Sequence, residues 1–325
     1  MRAAVCRSYG PPDVVTIEDV PSPPLETGGV RVRVRAAAVN FPDVLLVANR
    51  YQVSVPPPFV PGSEFAGVVS EVADGVAGFA VGDRVFGAAM LGAFAEEIAV
   101  PHDSIRHIPG GVEERLAAAF GVAHRTAYHT LRSVARLRRG EELVVLGAGG
   151  GVGLAAVELG AILGAGVTAV ASSAAKLEVA AAKGATRLVD HRAGDFRKAL
   201  REALPKGADV VVDPVGGDLA EPALRSLRWG GRFVTVGYAS GVIPKIPLNL
   251  VLLKGVHVLG FEFRTFAANA PDDHRRDEDE LLELFGARRI SPHVGAAFAL
   301  DEAAAALRYV ADGRAIGKVV LDVGG

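Results

Sequence analysis

The run Leu143-Val144-Val145-Leu146-Gly147-Ala148-Gly149-Gly150-Gly151-Val152-Gly153 carries an apolar stretch into a glycine cluster and on into helix-forming residues. A helix that starts there turns free backbone N–H groups and the positive end of its dipole toward an anion. Gly150 and Gly151 let the backbone approach a pyrophosphate, and Gly153 lets the helix lie close on a sheet. Ala148, Gly149 and Val152 complete the candidate phosphate-binding set. A glycine turn alone is weak evidence. Here a strand precedes it, a helix follows and further strands lie downstream, which is the context a dinucleotide site requires.

The next strand end selects the dinucleotide. A site for NAD carries Asp or Glu there, bonded to the ribose 2′-hydroxyl. This chain has Ala171-Ser172-Ser173 and then Lys176. Two hydroxyls and a cation suit a 2′-phosphate, which an acid would repel, so the sequence predicts NADPH as cofactor.

These residues need a scaffold. Apolar alternation at 30–34 and apolar runs at 66–72, 83–88 and 95–100, broken by Pro and Gly turns, predict a β-rich first part. Beyond residue 112 strands alternate with helical segments, the pattern of a doubly wound parallel sheet. Strands are expected at 142–146, 167–171, 187–189, 209–213, 232–236 and 257–261, and helices at 113–120, 125–135, 152–163, 175–183, 195–203, 219–227 and 248–253. The charge-dense 272–280 reads as a solvated loop and helix start, 301–310 as an amphipathic helix and 318–323 as a last strand. The apolar stretch 143–171 holds Glu158 and glycine turns, so it reads as strand, helix and strand rather than a membrane span.

Composition narrows the classes. With 325 residues and 50% hydrophobic content, the chain can build two cores. A formal net charge of −2 lacks the basic footprint of a nucleic-acid binder. The single cysteine, Cys6, forms no disulfide within the chain, and the first residues hold no apolar leader core, so a cytoplasmic protein is expected.

Further segments add to the glycine turn: Ala38-Val39-Asn40-Phe41-Pro42-Asp43, Pro61-Gly62-Ser63-Glu64-Phe65-Ala66-Gly67-Val68-Val69, Val81-Gly82-Asp83-Arg84-Val85, Thr126-Ala127-Tyr128, Asp213-Pro214-Val215-Gly216-Gly217 and Gly317-Lys318-Val319-Val320. In this order, along essentially the whole chain, they resemble the medium-chain dehydrogenase/reductase superfamily. The branch they resemble is the zinc-independent quinone oxidoreductases. The resemblance implies an α/β fold in which a Rossmann domain with a doubly wound parallel sheet is inserted in a β-rich, GroES-like catalytic domain. The expected division is 1–122 catalytic, 123–262 Rossmann, and 263–325 returning to the catalytic domain. The resemblance also implies a cofactor in the cleft between the domains and a homodimer joined through sheet edges.

The resemblance assigns residues as well. It places Asn40, Tyr51 and Thr126 near the nicotinamide, with Tyr51 and Asn40 as catalytic candidates serving the acceptor oxygen. Thr126 is expected to begin a helix. Ser172, Ser173 and Lys176 go to the 2′-phosphate, with His191 where relatives carry a tyrosine. Val215, Gly216, Gly237, Tyr238 and Phe261 fall at later strand ends, and Lys318 reaches the cofactor from the tail. Zinc-dependent members carry a cysteine where this chain has Asn40-Phe41-Pro42 and a histidine where it has Ser63. With one cysteine and no metal-ligand pattern in the sequence, no metal is expected. Without a Lewis acid, alcohol oxidation loses its main catalyst. The expected activity is NADPH-dependent reduction of a small quinone or similar electron-poor carbonyl. Reduction of an enone or enoyl thioester is the alternative, and a non-catalytic, crystallin-like NADPH-binding role is a third.

Overall fold

A computed structural model of the protein describes residues 1–324. The chain forms two compact units. One comprises Met1–Val122 with the segment that begins at Ser291, and the other is Ala123–Ile290.

The first unit is built on a seven-stranded sheet. Its longest strand, Gly29–Val39, alternates buried Val30, Val32 and Val34 with the more exposed Arg31, Arg33 and Arg35. One side of that strand is therefore core and the other wet. At Ala36–Ala38 the side chains shrink and both faces are buried. The C-terminal strand Lys318–Asp322 pairs antiparallel with this segment, Val319 opposite Val39. The strand Glu64–Val72 pairs on its other side, Ala38 opposite Glu64. Asn40, Glu64 and Lys318 are thus brought to one end of three adjacent strands by register alone.

The second unit is a six-stranded parallel sheet. Its order is Arg187–Asp190, Gly166–Ala171, Glu142–Val145, Ala208–Asp213, Leu227–Thr235, His257–Gly260. The chain starts in the middle at Glu142–Val145, runs outward one way, then returns and runs outward the other way. That reversal leaves a crevice at the carboxyl end of the first strand, where ligands of such sheets bind. Val144, Leu146, Val170 and Val211 are fully buried in its core, consistent with strands covered on both faces. The apolar stretch 143–171 is strand, helix Gly151–Ile162 and strand. Among the described residues no helix is long and apolar enough to cross a membrane.

Three expectations are corrected. The helix expected in two pieces is one element, Glu114–His129, continued by a π turn at Thr130–Val134. Thr126 therefore lies well inside a helix and does not begin one. The charge-dense 272–280 is no solvated loop but part of helix Pro271–Gly286, on which Asp277 is fully buried. That helix is bound to the preceding one by Arg125–Glu278, Tyr128–Glu280 and Arg132–Glu280 contacts. For that reason 263–290 belongs to the second unit, and the return to the first begins at Ser291.

Candidate functional site

The glycine turn is shaped by close approaches. Gly147 adopts φ +61°, a left-handed conformation that favours glycine. A Cβ on Gly153 would lie 2.1 Å from the Gly147 carbonyl oxygen, so only glycine lets the helix start tuck under the turn. Gly150 is the extended N-cap residue, and Gly151 and Val152 open the helix. No side chain caps this end, so its N–H groups stay available to an anion.

The second strand end lies beside it. Ser173 caps helix Ala174–Ala182, its hydroxyl accepting the Lys176 backbone N–H at 3.4 Å. The Lys176 ammonium is 3.5 Å from the Ser172 hydroxyl. Its methylene stem crosses over Gly149, where a Cβ would sit 2.6 Å from it. The turn's missing side chain thus makes room for the lysine. Desolvation and then the positive charge of Arg192 hold the Lys176 ammonium below its ordinary range. Desolvation and Arg192 do the same to the His191 imidazole, which follows strand Arg187–Asp190. Arg192 thus opposes the charging of both Lys176 and His191, and a bound anion would relieve that repulsion. Arg192 is absent from the sequence-based set. It sits in a turn after a strand, and only folding sets it beside Lys176.

The later strand ends are ordered by Asp213. Its buried carboxylate accepts the N–H groups of Val215 and Gly216, both at 2.8 Å. Burial raises the Asp213 pKa, and the two amides hold it back. Gly216 adopts φ +69°, and a Cβ there would strike the Val242 carbonyl and the Tyr238 ring. Gly237 and Tyr238 follow the next strand, and buried Phe261 follows the last.

The first unit assembles a second group. Lys318 is buried, and its ammonium donates to Asn40 Oδ1 and, at 2.8 Å, to Glu64 Oε2. Asn40 Nδ2 donates to the same Glu64 oxygen at 2.8 Å. The other Glu64 oxygen accepts the Val122 backbone N–H. Asn40 is therefore turned inward, and what it retains for a ligand is one lone pair on Oδ1. Glu64 is the hub that fixes both Asn40 and Lys318. Asp43 opens the following helix, Phe41–Val47, and accepts the Asn40 N–H at 2.7 Å. Its complete burial pushes its pKa up to about 7, with the Lys318 ammonium opposing. Tyr51 lies half-buried in the irregular stretch after that helix. Ser63 places its hydroxyl 3.4 Å from Asn40 Nδ2. The Lys318 ammonium thus lies between the Asn40 amide oxygen and the Glu64 carboxylate.

A third group was invisible to sequence reasoning. His129, His274, Asp277 and Glu278 meet within the second unit. His129 and Asp277 are 148 residues apart, so no local spacing signals them.

The chain is similar to known proteins along most of its length. A family model described as zinc-binding dehydrogenase matches residues 151–287, and one described as alcohol dehydrogenase GroES-like domain matches 26–110. Quinone oxidoreductase-like protein 2 of Bos taurus is 36% identical over 324 residues, spanning 99% of this chain and 92% of that protein. The spectinabilin polyketide synthase system protein NorB of Streptomyces orinoci is 38% identical over 306 residues, 92% of this chain but 13% of that protein. The structure of Escherichia coli quinone oxidoreductase complexed with NADPH superposes with a TM-score of 0.92 at 25% identity, covering 99% of this chain and 100% of that one.

Proposed function

The chain belongs to the medium-chain dehydrogenase/reductase superfamily, in its quinone oxidoreductase branch, and from that premise we propose that it is an NADPH-dependent, zinc-independent reductase of quinones or similar electron-poor carbonyls. The observation that carries the cofactor choice is the basic pocket of Lys176, His191 and Arg192 beside the Ser172 and Ser173 hydroxyls. The uncapped helix start at Gly151 would hold the pyrophosphate, and the basic pocket the 2′-phosphate. The fit is supported by the room that Gly149 leaves for the Lys176 stem. NADPH supplies a hydride. The protein's part is to bind and orient it and to stabilise charge that develops on the acceptor oxygen.

Zinc independence is supported by Lys318. Its ammonium lies between Asn40 and Glu64, and a second cation there would meet direct repulsion. A proton for the acceptor oxygen comes from Tyr51 or from solvent. A second reading, reduction of an α,β-unsaturated thioester, is favoured by the match to a segment of a polyketide synthase protein. We also infer a homodimer, for which the exposed edge strand His257–Gly260 is the support.

The test is an NADPH-oxidation screen across small quinones, enones and enoyl thioesters, with and without prolonged chelation. Quinone turnover that survives chelation is the expected result. Turnover with enoyl thioesters alone would replace the quinone reading with the second one. NADPH binding with no turnover on any acceptor would leave only a binding protein. Lys176→Ala should weaken NADPH binding by roughly tenfold to a hundredfold, the loss of about 1.5–3 kcal/mol from one charged hydrogen bond. NADH binding should hold, and equal losses for both would overturn the cofactor assignment.

A further inference from the structure

Beside Phe261 the second unit holds ionisable groups that hydride transfer does not use. His129 is fully buried at the end of helix Glu114–His129. Its Nδ1 lies 3.0 Å from Asp277 Oδ2 and its Nε2 2.9 Å from Glu278 Oε1. Asp277 is held in turn by the Ser133 hydroxyl at 2.5 Å and by the Arg276 guanidinium. His274 stands one turn before Glu278, its Nε2 3.9 Å from Glu278 Oε1. That nitrogen is buried and has no hydrogen-bond partner among the described residues. Ligand atoms from His129, His274 and Glu278 all lie within 4.8 Å of one another.

We propose that His129, His274 and Glu278 form a binding site for one divalent transition-metal ion of the Zn2+ class, with Asp277 orienting His129 from behind. Three features carry this. First, the donors are two imidazoles and one carboxylate, a set that suits zinc and its neighbours and that magnesium and calcium avoid. Second, His274 and Glu278 are four residues apart on helix Pro271–Gly286, a spacing that puts two donors on one helix face. Third, a ligating histidine characteristically gives its other N–H to a carboxylate, which fixes tautomer and ring orientation. Asp277 already stands at His129 Nδ1, fully buried and anchored.

The surroundings allow the step from cluster to site. Donors around a tetrahedral ion at about 2.0–2.1 Å sit about 3.3 Å apart. The His129–Glu278 pair is already close to that. The remaining movement falls on His274, whose side chain is 22% exposed and can turn. Phe261, Phe263 and Phe266 ring His129 at 5.0–6.1 Å and keep the inner side dry. Arg125 donates to Glu278 at 2.7 Å and lies over the Phe263 ring. Its charge weakens the site, while the paired carboxylates of Asp277 and Glu278 offset it. On coordination the Nε2 proton of His129 passes to solvent, and the Nδ1 hydrogen stays on His129, donated to the Asp277 carboxylate.

The test uses the full-length protein after chelation and dialysis. Zn2+ is titrated by calorimetry, and Co2+ is followed by its visible absorption, whose bands report nitrogen and oxygen ligation. One Zn2+ per chain and a Co2+ spectrum are expected. His274→Ala should weaken Zn2+ by more than about tenfold, since even losing a partner behind a ligand costs that much. Its partly exposed position lets the fold survive, which circular dichroism checks. Glu278→Gln keeps the shape and should weaken binding likewise, whereas His102→Ala, in the other unit, should change nothing. A wild-type protein that takes up no Zn2+ overturns the proposal. So does a His274→Ala variant that binds Zn2+ as tightly as the parent. Neither result bears on the NADPH reading, because the readout is the metal and not turnover.

Discussion

Asp43 is a carboxyl group that folding makes harder to ionise. Its pKa rises from 3.8 to about 7 because complete burial costs more than the Asn40 amide and the Lys318 ammonium return. Between those two values the folded chain holds a proton that the unfolded chain has released. Stability from this residue is therefore fully present at low pH and falls as pH rises toward 7, with a slope of at most about 1.4 kcal/mol per pH unit. Asp43→Asn keeps the acceptor for the Asn40 N–H and cannot ionise. Denaturant unfolding at a series of pH values should show a flatter profile for the variant, and at least parental stability above pH ~8. An unchanged slope would mean that Asp43 ionises freely. At the same scale, Tyr51→Phe removes a hydroxyl and keeps the ring. If Tyr51 serves the acceptor oxygen, turnover falls while NADPH affinity holds. Unchanged turnover would leave Tyr51 as a wall of the pocket and the proton to solvent.

At the scale of elements, the glycine turn separates two jobs that the sequence shows as one motif. A methyl on Gly153 would meet backbone at 2.1 Å, the Gly147 carbonyl, with nowhere to go. A methyl on Gly149 would meet the Lys176 side chain, its Cβ, Cγ and Cδ at 2.6–2.7 Å, of which the outer carbons can swing aside and the Cβ cannot. Gly153→Ala should therefore lower stability by about 1–3 kcal/mol as the helix is pushed off the turn, and weaken NADPH as well. Gly149→Ala should cost less stability than Gly153→Ala, because part of the Lys176 stem can swing aside, and should weaken NADPH by displacing Lys176. Thermal unfolding and NADPH fluorescence titration, run on both variants, distinguish these outcomes, and equal destabilisation would refute the division. This motif was legible because everything it does is local: a strand, a turn and a helix start within eleven consecutive residues. Helix Pro271–Gly286 was legible only as charge. Its pairs at Asp272–Arg275 and Asp273–Arg276 are surface contacts a sequence can suggest. The burial of Asp277 depends on His129 and Ser133, which lie far along the chain and become neighbours only when the helices pack. Thr126 was misplaced for a related reason. Local signals divide a helix that packing keeps whole, Glu114–His129.

At the scale of the whole molecule, the sheet of the second unit ends on strand His257–Gly260, which among the described residues pairs only with Leu227–Thr235. Its outer edge carries unpaired N–H and C=O groups, an invitation to another strand. The chain leading into it carries exposed apolar side chains. Val258 is exposed, as are Val242, Ile243, Leu248, Leu252 and Leu253 on the preceding segment and helix Leu248–Lys254. Six exposed apolar side chains within the short stretch 242–258 are more than the scattered ones that are ordinary on a soluble chain. A second copy related by a two-fold axis would satisfy both features at once, pairing edge with edge and burying each apolar patch against the other. The chain should therefore sediment as a dimer at micromolar concentration. Val258→Asp sets like charges near one another across the axis and leaves the interior of the sheet untouched, so it should shift the protein to monomer without unfolding it. A wild-type monomer would show that the edge stays bare in solution. A Val258→Asp variant that remains dimeric would place the interface elsewhere, and the apolar patch would then need a different partner.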